Sequence, residues 1–538
     1  MWIATVNWFD RTVLDLGRQL RLSYLPPLMI YAAAGIQGLT AIVGTFFVKD
    51  YLGLSAEFLA SLGFWAMIPW SLKMPLGHLV DLIWRWKALL VYLGAALIAA
   101  SLVVMLGLLS RPEAMGTVMP VETWFVLSVL LAPLGYVVQD VVADAMTVEA
   151  VPSLDERGQP IDPERRRLMH TTMQTLGRVA IIGGGVFVAL LNVWLFRDVG
   201  AMDEATQLDT YIHIYGLALL IPAVSISGVV LGSLLKQREV RRLNALGASE
   251  AAAQLVQGGA GAAQPNLWIL GGSLVFVLFT LAVGLGDVPY SKEIVFAGSL
   301  AIISFLVWQL LRELSPEAGR VLLGTAIIIF VFRAVPNPGA GNTWWMIDDL
   351  GFDQQFISVL SLVGSAMALA AMFIFRRFMA DHSIAYIIAF LTILSTLLAL
   401  PNLALYYGFQ EWTAAHTAGI VDARFIALID TALESPLGQV AMIPMLAWIA
   451  NSAPAHLKAT FFAVMASFTN LALSAGQLGT KYLNQIYTVT REVRSDGVVT
   501  VPADYSELGW LLWTVMALGF VLPFAAILLI RMLRLGSA

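Results

Sequence analysis

Long apolar stretches separated by short polar segments run through almost the whole chain. Most are about 19 to 30 residues long, enough to cross roughly 30 Å of hydrocarbon as helices that rise 1.5 Å per residue. The pattern predicts an all-α membrane protein with about fourteen transmembrane helices. The stretches lie near 25–48, 55–83, 88–110, 121–148, 168–193, 212–235, 267–285, 293–311, 320–346, 352–379, 384–407, 424–450, 457–486 and 508–531.

One short segment occurs twice in the sequence. The segments 45–58 and 343–356 share five of about fourteen residues at an offset of roughly 298, and each leaves one apolar stretch and enters the next. The repeat groups the first six stretches into one bundle and the last six into another. A duplicated membrane unit is typical of a transporter whose site lies between two similar bundles and opens alternately to either side.

The repeat and the polar segments together predict five regions. The segment 1–23 has apolar residues at alternating spacings of four and three, as in an amphipathic helix that lies in the membrane interface or docks on a partner subunit. The regions are the interfacial helix at 1–23, an N-terminal six-helix bundle at 24–235, a cytoplasmic linker at 236–266, an inserted transmembrane hairpin at 267–312 and a C-terminal six-helix bundle at 320–538.

Composition agrees with a membrane protein and excludes several classes. Of 538 residues, 59% are hydrophobic and 12% charged, with a mean hydropathy of +0.79. The absence of cysteine excludes disulfides, thiolate metal sites and cysteine nucleophiles. Scattered histidines, and the lack of a phosphate-binding loop or nucleophile elbow, predict no metal, no cofactor and no enzymatic activity. We also expect no nucleic-acid partner.

The distribution of Lys and Arg predicts the orientation. With the N-terminus inside, about 20 basic residues fall on the cytoplasmic side and about 7 outside. The start of the chain lacks the pattern of a cleaved signal peptide. We therefore expect an integral protein of a bacterial inner (plasma) membrane with both termini cytoplasmic.

The cytoplasmic end of the second stretch carries charged residues and a glycine at regular spacing. A Lys-x-x-x-Gly-x-x-x-Asp pattern at 73–81 is followed by two cations. The glycine allows close helix approach, and the aspartate can accept from a cation or a helix N-terminus. The pattern resembles the signature loop of the major facilitator superfamily and predicts a cytoplasmic gate, with an ordinary positive-inside loop as the alternative. The candidate gate residues are Lys73, Gly77, Asp81, Arg85 and Lys87.

Two aspartates lie deep in the fourth stretch. Asp140 and Asp144 are four residues apart on one helical face, and Asp140 is about 12 Å from the cytoplasmic end. A carboxylate at this depth is costly unless it is paired, protonated or facing water. Arg178, which follows Gln174 in the next stretch, reaches a similar depth. The group predicts either a static Asp140–Arg178 ion pair or a site that handles substrate or protons.

The second half has intramembrane charges of its own. Arg333 stands shortly before 336–342, a segment with two prolines that must interrupt the ninth stretch. A cation beside a broken helix suits an anionic ligand. Asp430 and Glu434, again four apart, lie in the twelfth stretch, so pairing of Arg333 with one of these acids is an equal alternative.

Several motifs resemble the folate/biopterin transporters of the major facilitator superfamily, and the similarity covers most of both halves. They are the 69–81 run, Asp140-Val-Val-Ala-Asp144, Asp349-Leu-Gly-Phe352, and Met442-Ile-Pro444 leading through Ala453-Pro454 to 458–470. The chain departs from this family in its inserted hairpin and in the Trp84-Arg85-Trp86-Lys87 run. Muropeptide permeases and acetyl-CoA transporters share the Gln139-Asp140, Asp144 and Glu156-Arg157-Gly158 features and stay as alternatives.

The resemblance implies a major facilitator superfamily fold and a pterin, folate or similar anionic solute. Trp344 and Trp345 would then stack on a flat ring, and Arg333 or Arg178 would meet a carboxylate. The predicted substrate-binding residues are Arg178, Arg333, Trp344, Trp345 and Gln174. The predicted proton-coupling or ion-pair residues are Asp140, Asp144, Asp430 and Glu434.

The sequence therefore predicts a secondary active transporter that works by alternating access, with Asp140 and Asp144 as candidates for proton coupling. The alternative is a non-transporting membrane scaffold or assembly factor. Such a protein would hold a lipid, pigment or partner protein and would use the hairpin and the N-terminal helix as docking surfaces.

Overall fold

The structure is a computed structural model whose described part is almost entirely helical. The described residues are 10, 14–71, 73–152, 154–155, 159–247, 249–257, 267–286, 288–312, 314–375, 378, 382–452, 458–495 and 498–537. Most of the predicted interfacial helix lies outside these residues, as do Glu156-Arg157-Gly158 and Ala453-Pro454.

Twenty-two α-helices and one strand pair occupy the described part. In the first half the helices are α1 Asp15–Arg18, α2 Leu25–Gly35, α3 Ala41–Tyr51, α4 Ala56–Ser71, α5 Lys73–Leu82, α6 Lys87–Ser110, α7 Pro112–Gly116, α8 Val121–Ala150, α9 Pro163–Leu195, α10 Glu204–Ala218, α11 Leu220–Ala245 and α12 Ser249–Gln257. The remaining elements are α13 Leu267–Leu285, α14 Ser291–Leu311, α15 Pro316–Arg333, α16 Ala340–Asp348, α17 Gln354–Ile374, α18 Ile384–Tyr406, α19 Phe409–His416, α20 Ala423–Ser452, α21 Lys458–Ile486, β1 Val493–Ser495, β2 Val498–Val501 and α22 Leu508–Met532.

Nine helical segments in the described part are long and apolar enough to cross a membrane. They are Leu22–Tyr51, Ala88–Ser110, Val121–Ala150, Pro163–Ala201, Glu204–Ala245, Ser291–Gln309, Gln354–Ile374, Ile384–Tyr406 and Leu508–Met532, and a shorter apolar helix covers Leu270–Gly284. The helical membrane architecture is confirmed. The figure of fourteen spans stays a prediction.

The segment predicted as a cytoplasmic linker is helical in its first part. Helix α11 continues to Ala245, and α12 covers Ser249–Gln257. Residues in this region favour a helix, and Arg242 donates to Glu239 one turn before it over 2.9 Å. The residues 258–266 lie outside the described part.

The chain forms two compact units. The first consists of Met1–Thr40, Pro75–Val188 and Tyr211–Leu267. The second consists of Ala41–Met74, Ala189–Thr210 and Trp268–Ala538.

Small residues let the helices of the first unit approach closely. A Cβ on Gly94 of α6 would lie 2.6 Å from the carbonyl oxygen of Gly135 in α8, and a Cβ on Gly184 of α9 would lie 2.9 Å from Cα of Gly35 in α2. Any larger residue at these positions would force the helices apart. Gly184 is the middle residue of three consecutive glycines, 183–185, and is the one that makes this close approach. The adjoining core consists of Ile30, Tyr31, Val80, Val91, Val141, Val142, Ala143, Met146 and Val229.

The inserted hairpin belongs to the hydrophobic core of the second unit. Phe276 of α13 and Val295 of α14 are buried in one cluster with Phe64 of α4 and Ile328 of α15. In the first turn of α14, Lys481 Nζ and Tyr482 Oη of α21 both donate to Glu293 Oε1, over 2.8 and 2.6 Å. The hairpin is thus fastened by apolar packing and by a charged contact.

The predicted helix break in the ninth stretch is present. Helix α15 ends at Arg333 and α16 begins at Ala340, after Gly339 with φ of +80°. Helix α21 supplies partners for the freed backbone groups. Asn337 N donates to Thr480 Oγ1 over 3.0 Å, and Asn484 Nδ2 donates to Pro338 O over 3.2 Å. The interruption is therefore satisfied inside protein, as a membrane environment requires.

A short antiparallel hairpin stands between the last two helices. Strands β1 and β2 pair Val493 with Val501 and Ser495 with Val498. Below the strands, Thr490 and Asp504 exchange two backbone hydrogen bonds of 3.0 and 2.9 Å. These bonds hold the two ends of the 487–507 loop side by side.

Candidate functional site

A tyrosine and an aspartate meet in the membrane-spanning part of the first unit. Tyr31 Oη of α2 donates a hydrogen bond to Asp144 Oδ1 of α8 over 2.5 Å. Tyr31 is 5% exposed, and the charges of Asp144, Asp140 and Arg178 all act on its hydroxyl. We call Tyr31, Asp140, Asp144, Arg178 and Gln174 the Tyr31 centre.

Backbone geometry and a glycine position this centre. A Cβ on Gly177 of α9 would lie 2.9 Å from Cε2 of Tyr31, so the glycine makes room for the ring. Gln174 Nε2 donates to Thr147 Oγ1 over 3.1 Å, and Thr147 Oγ1 donates to the carbonyl of Asp144 over 2.6 Å. Side chains from α2, α8 and α9 are thereby linked around Asp144, one through its carboxylate and the others through its backbone carbonyl.

The Tyr31 centre combines two carboxylic acids, a phenol, an amide and a guanidinium within a membrane unit. Asp140 lies about 15 Å from the end of α8 at 1.5 Å per residue, and it is half-buried. In such a centre the carboxylates can bind and release a proton, and the guanidinium can receive an anion. The sequence predicted four of these residues. It missed Tyr31, because one tyrosine in an apolar stretch carries no distinguishing pattern.

The candidate gate residue Lys87 is paired in the structure. Its Nζ lies 2.7 Å from Glu149 Oε2 at the end of α8, and 3.6 Å from the centre of the Trp84 ring. Glu149 also accepts from Lys236 Nζ over 2.9 Å. One carboxylate thus joins a cation at the start of α6 and a cation within α11, and its role was not foreseen from the sequence.

The structure describes the other candidate gate residues only in part. The guanidinium of Arg85 lies 5.8 Å from the Trp86 ring centre. No described atom lies within 4 Å of the position that a Cβ on Gly77 would take, so the close helix approach expected there is not made by the described residues. Lys73 begins α5, and the side chain of Asp81 lies outside the described part.

Asp430 and Glu434 are brought together on α20, as their spacing predicted. Glu434 acts electrostatically on Asp430, whose Oδ1 is buried and has no hydrogen-bond partner among the described residues. Arg333 is half-buried at the end of α15 beside the helix break. Whether Arg333 binds an anionic ligand or pairs with one of these acids stays a prediction.

The two candidate stacking residues are enclosed by protein. Trp344 and Trp345 of α16 are 2% and 3% exposed. Trp345 packs against Tyr406 with ring centres 5.7 Å apart, and the guanidinium of Arg491 lies 5.0 Å from the Trp344 ring centre. A solute would reach the ring faced by Arg491 only after that side chain moved.

A second polar cluster links the two copies of the repeated segment. Lys49 Nζ in the first copy lies 2.6 Å from Asp348 Oδ1 in the second, and Tyr505 Oη donates to Asp348 Oδ2 over 2.5 Å. Burial is the main cause that raises the pKa of Tyr505, and the hydrogen bond to Asp348 adds to it. The hydroxyl therefore stays protonated and donates. Lys49, Asp348, Tyr505 and Arg491 form what we call the Lys49 network.

Arg491 completes the network by capping the first copy. Its Nε donates to Lys49 O over 2.6 Å, its Nη1 donates to Leu54 O over 2.7 Å, and its Nη2 donates to Leu52 O. The residue is 5% exposed. Burial lowers the pKa of Arg491, while Asp50, Tyr505 and Asp348 act in the opposite direction.

Comparison with known proteins identifies related transporters. Residues 295–535 match the BT1 family. A folate-biopterin transporter of Synechocystis sp. (strain ATCC 27184 / PCC 6803 / Kazusa) is 23% identical over 469 residues, which cover 86% of this chain and 75% of the relative.

Solved transporter structures share the fold. A peptide transporter POT in complex with sulfate matches with a TM-score of 0.56 and 16% identity, covering 96% of each chain. A POT family transporter in complex with 5-aminolevulinic acid gives 0.60 and 12%, covering 95% of this chain and 96% of its own. A D-xylose-proton symporter gives 0.53 and 13%, covering 94% and 95% respectively. At these identities the similarity shows the fold alone. The chain is therefore an integral membrane protein that shares the fold of these solved transporters, and it is similar to the BT1 family and to a folate-biopterin transporter.

Proposed function

We propose that this protein is a secondary active transporter that moves a small anionic organic solute of the folate or pterin type by alternating access. The relationship to a folate-biopterin transporter and the transporter fold support the class of solute and the class of protein. Proton coupling is the proposed driving mechanism.

The hydrogen bond from Tyr31 to Asp144 is the observation that carries the coupling proposal. Asp140 and Arg178 act on the same hydroxyl, so proton and ion-pair chemistry converge at one place in the membrane. Protonation of the carboxylates removes the negative charge that attracts Arg178. The guanidinium is then available to a solute carboxylate, and the favoured conformation changes with it.

Two cations, Arg178 and Arg333, are the proposed candidates for binding a solute carboxylate. Arg178 and Arg333 match a carboxylate through paired N–H donors, and Gln174 adds an uncharged donor and acceptor. Trp344 and Trp345 supply flat faces for a pterin ring. Folates combine a flat heterocycle with carboxylates, which fits this set of side chains.

Uptake by proteoliposomes under an imposed proton gradient tests the proposal. The solute panel consists of pterins, folates, muropeptides and acyl-CoA compounds. We expect a folate or pterin to accumulate when the gradient is applied. Asp144→Asn keeps the hydrogen-bond acceptor but cannot titrate, and we expect it to lower gradient-driven accumulation about tenfold or more because the carboxylate no longer responds to the gradient.

Asp198→Asn is the matched control, because the Asp198 side chain is 75% exposed outside the Tyr31 centre. It should accumulate solute like the unmodified protein. Full gradient-driven uptake by Asp144→Asn and by Asp140→Asn would refute the coupling mechanism. Failure of every solute to enter, with an intact purified protein, would refute transport of this solute class and favour the scaffold alternative.

A further inference from the structure

The 487–507 loop has two ends that are tied to each other. Thr490 and Asp504 exchange backbone hydrogen bonds, and Thr488 N donates to Glu507 Oε2 over 2.6 Å. Strands β1 and β2 continue this pairing. Separating the two ends of the loop would break each of these bonds. We therefore expect its described residues, 487–495 and 498–507, to move together.

The first end of the loop holds the first copy of the repeat. The Arg491 guanidinium donates to three carbonyls that follow or end α3, namely those of Lys49, Leu52 and Leu54. Hydrogen bonds from a charged donor are stronger than neutral ones, and three converge here on one side chain. Arg491 is thus the principal attachment of the loop to α3.

The second end of the loop holds the second copy. Tyr505 donates to Asp348 at the end of α16, and the same carboxylate pairs with Lys49 of α3. Val489 packs against α16 as well, because a Cβ on Gly341 would lie 2.9 Å from Cβ of Val489. The loop is therefore attached to α3 and to α16 at the same time.

We propose that this loop, through its described residues 487–495 and 498–507, is a strap that holds α3 and α16 together at the side predicted to be external, and that it must leave α16 for the solute pathway to open there. This inference rests on the proposed function, since alternating access requires the ends of the first and ninth stretches to separate on the opening side. The attachments are a few polar contacts and the packing of Val489, so the loop can leave without unfolding a helix.

Detachment of the strap also changes the access of a solute to Trp344. The Arg491 guanidinium faces the Trp344 ring at 5.0 Å. When the loop leaves, it takes this cation with it and uncovers the aromatic face. Opening of the external side and exposure of a stacking surface are then one event.

A reversible crosslink tests whether the loop must move. Gly341→Cys combined with Val489→Cys places two Cβ atoms near the 3.5–4.5 Å separation typical of a disulfide, after a shift of roughly 1 Å. The chain has no cysteine of its own, so no background thiol interferes. We expect oxidation to lower uptake about tenfold or more and reduction to restore it, because the closed side cannot open.

Val489→Cys alone, treated with the same oxidant, is the matched control. Its uptake should not change. Full uptake by protein that gel analysis shows to be crosslinked would overturn the strap. Absence of uptake in the unmodified protein would instead count against the proposed function.

A labelling experiment tests whether Arg491 attaches the loop to the protein, and it depends neither on transport nor on the double variant. Val489 is 5% exposed, so Val489→Cys should react slowly with a membrane-impermeant maleimide. Adding Arg491→Ala should raise the labelling rate about tenfold, the effect expected for losing hydrogen bonds from a charged group. Arg424→Ala, which removes the corresponding arginine contact to the second copy, should leave the labelling rate unchanged. Equal rates with and without Arg491 would overturn the proposal.

Discussion

The two copies of the repeated segment form the same turn but complete it in different ways. In each copy a helix ends and the next begins after a side-chain cap: Phe58 N donates to Ser55 Oγ over 3.1 Å, and Phe356 N donates to Asp353 Oδ1 over 2.7 Å. Ser55 and Asp353 are equivalent positions of the repeat. The start of the second helix is therefore conserved in chemistry as well as in position.

The ends of the first helices differ. In the second copy Gly351 has φ of +64°, and Phe352 N donates back to Met346 O over 3.1 Å, which closes the turn by local backbone bonds. In the first copy the backbone of Gly53 does not have a positive φ. The carbonyls of Lys49, Leu52 and Leu54 in this copy accept instead from Arg491, which is more than four hundred residues away in sequence.

An arginine borders the second copy too, in a weaker arrangement. Arg424 Nη2 donates to Gly351 O over 3.1 Å and lies 3.5 Å from Asp353, and its side chain is 47% exposed. A buried arginine with three carbonyls thus serves one copy, and a half-exposed arginine with one carbonyl serves the other. The comparison shows that a turn without local closure becomes dependent on a distant part of the chain.

The largest effect should come from Arg491→Ala. The change leaves three carbonyls beneath the loop without their donor, and we expect it to lower the free energy of unfolding by about 2–4 kcal/mol. Thermal unfolding of the purified protein measures this. Arg491→Lys should recover only part of the loss, since a lysine cannot reach three acceptors in the same fork. A loss no greater than that of Arg424→Ala would remove the distinction between the copies.

An intermediate effect should come from Gly351→Ala, compared with Gly53→Ala. No described atom lies within 4 Å of a Cβ at either position, so packing does not interfere. The left-handed backbone of Gly351 should make its substitution cost about 1–2 kcal/mol. Gly53→Ala should be close to neutral by the same thermal measurement. Equal costs would show that the two turns are closed alike.

The smallest effect should come from Arg424→Ala. The side chain is half-exposed, and exposed ion pairs contribute about 0.2–1 kcal/mol. The loss should shrink further at high salt, because screening weakens the contact with Asp353. A loss that is independent of salt would assign the contribution to the Phe356 ring, which lies 5.1 Å from the guanidinium.

Local patterns in the sequence predicted several features correctly. The repeat identified two equivalent turns, the prolines after Arg333 marked the helix break, and the spacing of Asp140 and Asp144 placed both on one helix. These features depend on neighbouring residues and on helix periodicity, which a sequence displays directly.

Features that depend on contacts between distant segments were missed. The repeat contains both Lys49 and Asp348, but nothing in it shows that these equivalent regions pair with each other. Arg491 stands in a polar loop and looks like any exposed cation until the fold brings it to α3. A signal for the hairpin was present, since Asp496-Gly497, between Ser495 and Val498, is a turn pattern typical of a two-residue connection.

The paired ends of the 487–507 loop determine where the chain tolerates extra length. An epitope inserted between β1 and β2 lies beyond the Thr490–Asp504 bonds, so both attachments keep their register. The same epitope inserted between Tyr487 and Arg491 would carry the guanidinium away from the carbonyls of α3. Two insertion sites only a few residues apart are therefore predicted to differ sharply, one suited to tagging the protein and the other destructive.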